Sequence, residues 1–164
     1  MEKNEKTVRD LLIRFLDGET HPGFDGIVAE FPMTEINTIL PHGAYSTWHL
    51  LEHIRRTQND ILDFMINPKY ASKRWPADYW PGKTEKGNAN TWQTTVASYK
   101  ADLRELGKIV LDPKTDLYRK ISWGDGQTVM EEIIKVSDHT SYHLGELGIL
   151  RQIMGTWPNH RKSR

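Results

Sequence analysis

Residues 128–154 read TVMEEIIKVSDHTSYHLGELGILRQIM, and this stretch decides the fold. Thr128 with Glu131 three residues on is a capping-box pattern, which occupies backbone N–H groups left free at a helix start. Val129, Ile133, Val136, Leu147, Leu150 and Met154 fall on one face at roughly 100° per residue. Gly155 stands where a helix of this register ends. A long helix with one apolar stripe must bury it against neighbours.

Working outward, the same signals recur. Residues 2–16 carry Val8, Leu11, Leu12, Phe15 and Leu16 at helical spacing. A short helix fits 24–31, ahead of Pro32. Ser46 or Thr47 caps a long helix that runs to about Ile66, where Asn67-Pro68 stops it. Another helix fits 91–111, stopped by Asp112-Pro113, and Gly124-Asp125-Gly126 makes a turn. No segment reads as paired sheet. Four long amphipathic segments predict an all-α four-helix bundle, with residues 1–164 as one domain. The connection 67–90 holds Pro68, Pro76, Pro81, Gly82 and Gly87 among Tyr70, Trp75, Tyr79 and Trp80. It is longer than bundle connections usually are, which marks it as a lid or pocket wall.

Composition removes several kinds of function. Of 164 residues, 22 are Lys or Arg and 22 are Asp or Glu, with no basic stripe, so a nucleic acid or anionic-membrane partner is not expected. The N-terminal residues carry no apolar targeting segment, and no apolar run approaches the ~20 residues of a membrane span. The expectation is a cytoplasmic protein whose polar tail, 159–164, frays. There is no cysteine, which excludes disulfides, thiolate nucleophiles and sulfur-ligated zinc. Seven histidines remain as the conspicuous chemistry.

His139 and His143 are four apart and share a face of the last helix. His143 falls near the middle of its apolar stripe and His139 on the flank, so both point into the bundle. In 46–66 the stripe is Leu50, Leu51, Ile54, Ile61, Leu62 and Met65. His53 lies at its edge beside Thr57 and Phe64, and His49 lies further round, toward solvent. Inward imidazoles need partners; ordinary packing with satisfied nitrogens is one solution, and a three-nitrogen metal site with open positions is the other. His21 and His42 read as loop residues and His160 as tail.

The stretch Tyr45-Ser46-Thr47-Trp48-His49-Leu50-Leu51-Glu52-His53-Ile54-Arg55 resembles the second-helix motif of DinB-like (DinB/YfiT-type) proteins, in which a histidine follows a Leu-Leu-x run. The stretch from Gly126-Gln127-Thr128 through Asp138-His139 and Tyr142-His143-Leu144-Gly145-Glu146-Leu147 to Arg151 and Gly155 is similar to that family's His-x-x-x-His-x-Gly motif. Trp75-Pro76 and Tyr79-Trp80-Pro81 before a helix bearing Trp92 also fit, and the resemblance covers roughly residues 11–157. It departs at Glu146, where many relatives carry Gln. The resemblance implies an up-down-down-up bundle, often a homodimer, with a divalent metal held by His53, His139 and His143. Nickel or zinc is the metal it implies first, with iron or manganese also found. The implied activities are metal-dependent hydrolysis of a small-molecule substrate, or transfer involving a low-molecular-weight thiol such as bacillithiol, mycothiol or glutathione. A non-catalytic bundle that binds a metal or small ligand as sensor or store is the alternative.

Other polar residues carry weaker signals. Glu52 and Asp138 adjoin ligand candidates in sequence but point about 100° away. Glu132 shares a face with His139, so it either hydrogen-bonds a histidine nitrogen, borders the pocket, or serves as a first-turn acid. Tyr142 and Arg151 are candidates for holding an anionic substrate; their alternatives are packing and an exposed charge. Trp75 and Trp80 are the tryptophans expected to line the site. Gly145 and Gly148 suggest close approach of a neighbouring helix, within the bundle or across a dimer.

Overall fold

The computed structural model describes residues 3–19 and 22–158. It contains α1 (Lys3–Asp17), α2 (Gly23–Val28), α3 (Thr47–Ile66), α4 (Ala89–Leu111) and α5 (Val129–Ile153). α3 packs against both α4 and α5, α1 packs against the same two helices, and α2 lies on α5. The four long helices therefore form the bundle. Among the described residues, β structure is limited to one isolated bridge between Lys120 and Thr128. No described helix is long and apolar enough to cross a membrane.

Helix boundaries follow local chemistry. The Ser46 side chain accepts the backbone N–H of His49 at the start of α3, and reciprocal capping boxes open α4 (Asn88 with Thr91) and α5 (Thr128 with Glu131). Each such cap contributes about 1 kcal/mol. α4 starts two residues before the predicted Thr91, because Thr91 is the third helical residue of the box and not its cap. α5 ends as expected, with Gly155 in the left-handed region at φ 64°. His21, His160 and the tail lie outside the described residues.

Two buried arginines close helix ends. Arg9 on α1 donates to the carbonyls of Val110, at 2.6 Å, and Thr115, also at 2.6 Å, beyond the end of α4. Arg151 on α5, fully buried, donates to Ile27 O at 2.7 Å and Ala29 O at 2.8 Å at the end of α2, and also to Thr156 O. Its guanidinium lies over the rings of Phe31 and Trp157. The sequence reading of Arg151 as an exposed charge or anion holder is therefore corrected. A planar guanidinium matches the unpaired carbonyls at a helix C-terminus, and no sequence pattern announces that use.

The core divides into two apolar clusters. One includes Leu62, Leu106, Val129, Ile133 and Val136; the other includes Trp48, Leu51, Ile54, Tyr99, Leu144 and Leu147. Along α5 the core positions jump from Val136 to Leu144, and His139, Thr140 and His143 fill the interval. Along α3 they jump from Ile54 to Ile61, with buried Gln58 and Asp60 between. A polar belt thus crosses the bundle at mid-height; His139 and His143 sit in it, and His53 adjoins its α3 edge at Ile54.

Gly148 meets Ile27 of α2 at 3.6 Å from the position of a Cβ, the close approach its sequence suggests. Gly145 has nothing within 4 Å of a Cβ position, so no described helix of the same chain approaches it there.

Candidate metal centre

The segment 67–88 lies along one face of α3, tied to side chains at spacings of four, three and four residues. His49 Nε2 is 3.1 Å from Gly82 O, His53 Nδ1 is 3.0 Å from Tyr79 O, and Arg56 donates to Trp80 O at 2.9 Å. Asp60 accepts the hydroxyls of Tyr79 at 2.6 Å and Tyr70 at 3.1 Å, with Lys73 at 3.4 Å. The expectation that His49 faces solvent is overturned: it is buried, and its Nδ1 meets Ser46 Oγ at 2.7 Å. Helical rotation placed it off the stripe correctly, but the connecting segment covers that side.

His53, His139 and His143 come together, their inward-facing nitrogens all within 4.8 Å of one another. His53 and His143 are buried and His139 half-buried. Two of the tautomers follow from their partners. Tyr79 O can only accept, so His53 Nδ1 carries the proton and Nε2 presents a lone pair. His143 Nδ1 lies 2.6 Å from Glu146 Oε2, which likewise commits its proton outward. His139 Nε2 is 3.1 Å from His53 Nε2. Nitrogens bound at ~2.1 Å around a tetrahedral ion would lie ~3.4 Å apart; the His139–His53 separation is close to this, and the His143 nitrogen, within 4.8 Å of both, is in reach of the same ion.

Electrostatics favour the neutral, ligating forms of His139 and His53. Burial pushes the His139 imidazole down to about 3, reinforced by His143 and His53. Burial also pushes His53 down to about 4, against the opposing hydrogen bond to Tyr79 O. Neutral imidazole is the form that binds metal.

A cavity of ≈ 510 Å³ opens on the cluster, lined by Trp75, Tyr79, Trp80, Tyr142, Lys135 and Asp138 among others. Trp80 stacks on His53 with centroids 3.7 Å apart and planes at 8°. Trp75 and Tyr142 stand edge-on to His53 and His143, at 6.4 Å and 4.9 Å. Asp138 is exposed at the rim. Glu132 makes no hydrogen bond to a histidine among the described residues. It is buried, pairs with Lys135 at 2.5 Å, and lines an adjoining cavity of ≈ 500 Å³. The two cavities share Thr57, Trp75, Tyr79 and Lys135, so Glu132 borders the neighbour of the histidine pocket.

Glu52 points away from the cluster, as its rotation requires. Burial pulls its carboxyl upward, but hydrogen bonds from Arg55, Arg56 and Thr95 outweigh this and hold it below the ordinary value. Through Thr95 at 2.8 Å it ties α3 to α4. Sequence reasoning missed the backbone carbonyl of Tyr79, which no side-chain pattern signals, and Lys135, whose spacing from Glu132 was the available clue.

No protein-family model matches this sequence, and no curated protein or solved structure matches it either. The chain therefore stands on its geometry: an all-helical bundle with a three-histidine cluster that offers a metal site.

Proposed function

We propose that His53, His139 and His143 hold a divalent metal ion and that the protein is a metal-dependent enzyme of the DinB-like type, with the up-down-down-up helix course and homodimeric assembly of that family. The observation that carries this reading is the convergence of three imidazoles, two with their outer nitrogens already committed. Nickel and zinc suit an all-imidazole donor set, as do iron and, less well, manganese. Three neutral ligands leave such an ion its full charge, and its chemistry is to acidify a bound water or thiol.

The chain's own residues prepare that chemistry. Tyr79 O and Glu146 orient two imidazoles, turning their inner nitrogens toward one another. Trp80 covers one face of His53 and keeps water from it. Lys135 and Asp138 are the charged side chains that line the cavity itself, placed to bind substrate or move a proton. The reaction classes are hydrolysis and transfer to a low-molecular-weight thiol; the absence of cysteine means that sulfur would arrive with the cosubstrate.

Metal analysis of wild type against His143→Ala tests the centre: wild type retains about one ion per chain, and equal content in both proteins sinks the ligand assignment. Turnover of electrophilic model esters and epoxides, with and without added thiol, tests the activity. Metal-loaded protein that is inert in both arms yet binds a small ligand tightly overturns the enzymatic reading in favour of a sensor or store.

A further inference from the structure

Trp75 and Trp80 border the same cavity but are spent differently. Trp80 is stacked on both faces, with Tyr45 at 3.9 Å on one and His53 at 3.7 Å on the other, and so serves as a wall. Trp75 is 71% exposed, and Tyr142, which borders the cavity from α5, is 66% exposed. Trp75 touches Tyr79 at a tilt and His53 edge-on, and no ring stacks on it among the described residues. Its exposure is not that of a loose loop tip. Tyr70 and Tyr79, on either side of it in sequence, are both bonded to Asp60. The chain therefore holds an indole and a phenol uncovered beside two different histidines of the cluster. The adjoining cavity beyond Thr57 and Lys135 also has aromatic walls in Phe64, Tyr70 and Trp123, but it holds the Asp60 and Glu132 carboxylates and none of the three histidines; only the histidine cavity sets Trp75 and Tyr142 beside donor-binding nitrogens.

We infer that the histidine cavity takes a ligand bearing a planar aromatic group, which packs against Trp75 and Tyr142 while a donor atom faces His53, His139 and His143. This rests on the metal reading for the donor end, while the aromatic subsite stands on Trp75 and Tyr142. Flat aromatic surfaces gain both apolar burial and ring–ring contact, and two anchored, uncovered rings lose little conformational entropy when a third joins them.

The experiment uses full-length protein loaded with cobalt(II), titrated with imidazole and with 4-phenylimidazole and followed by the cobalt visible spectrum. Both probes offer the same donor nitrogen and differ in the added ring. The phenyl compound is expected to bind at least about tenfold more tightly, from the apolar surface it buries. Trp75→Ala and Tyr142→Ala should each remove most of that preference while cobalt stoichiometry stays unchanged. Equal affinity for the two probes, or a preference that survives both substitutions, overturns the inference. Calorimetry on the metal-free protein forms the second arm. There, a Trp75-dependent preference for 4-phenylimidazole supports the aromatic subsite even if cobalt fails to bind, and its absence in that case overturns the subsite too. Failure to bind cobalt at all overturns the metal reading separately.

Discussion

His143 Nδ1 and Glu146 Oε2 lie 2.6 Å apart, one turn of α5 from each other. The carboxylate fixes which nitrogen of His143 carries the proton, and with it the direction of the lone pair on the other. Glu146→Ala should therefore weaken metal binding by about 10–100-fold, read by competition against a chromophoric chelator. Glu146→Gln, whose amide oxygen still accepts from Nδ1, should recover much of the loss. Unchanged affinity in the alanine variant would show that the contact orients nothing.

Asp60 gathers three side chains of the 67–88 segment: Tyr70, Tyr79 and Lys73. Asp60→Ala leaves the two half-buried phenols without their acceptor, and each lost hydrogen bond, partly replaceable by water, costs about 0.5–1.5 kcal/mol. Urea denaturation should show the loss, and limited proteolysis should cut first within 67–88. Wild-type resistance to the protease would mean that the other contacts to α3 suffice.

Gly87 passes so close to Trp48 that an added Cβ would stand 2.4 Å from the indole Cγ. Its backbone N–H and carbonyl are both held by the Asn37 side chain, each at 2.8 Å, so it has little room to retreat. Gly87→Ala is expected to destabilise the fold by about 1–3 kcal/mol, as overpacking does. A denaturation midpoint equal to wild type would contradict the close approach.

Tyr99 is buried and stacks on Phe24 at 3.8 Å. Burial pushes its hydroxyl up to about 12, above the ordinary tyrosine value near 10. A folded-state value that is raised contributes stability fully present below about pH 10, and lost as the pH climbs from there through about 12. Unfolding free energy should fall across that window, and Tyr99→Phe should flatten this part of the fall. An identical alkaline slope in the two proteins would remove Tyr99 from the account.

Much of this was legible in the chain. The capping pairs at Ser46 and Thr128 and the stripes of α3 and α5 set the helices, and their rotation put His53, His139 and His143 on inward faces. Such periodicity is local, and a helix face can be computed from sequence. What lay across that face could not. His49 read as solvent-facing because nothing in residues 46–66 says that the segment around Gly82 will return to it. Arg151 reads as a surface charge because its acceptors are backbone carbonyls, two of them at the end of α2 over a hundred positions earlier, and carbonyls have no sequence signature. Glu132 shares a face with His139, and seven residues of helix already set them about 10 Å apart; that its carboxylate goes to Lys135 instead of a histidine is a choice of side-chain partner that the shared face leaves open.

The Tyr45–Trp80–His53 stack has a consequence for measurement. Trp80 lies face to face on the His53 imidazole, whose electron density would change if its far nitrogen bound a metal. Trp80 emission is therefore expected to shift or quench on metal addition, which would make occupancy of the proposed centre a label-free titration. Its signal is separable from that of the five other tryptophans by the difference between wild type and Trp80→Phe, which keeps a ring in the stack and extinguishes the emission.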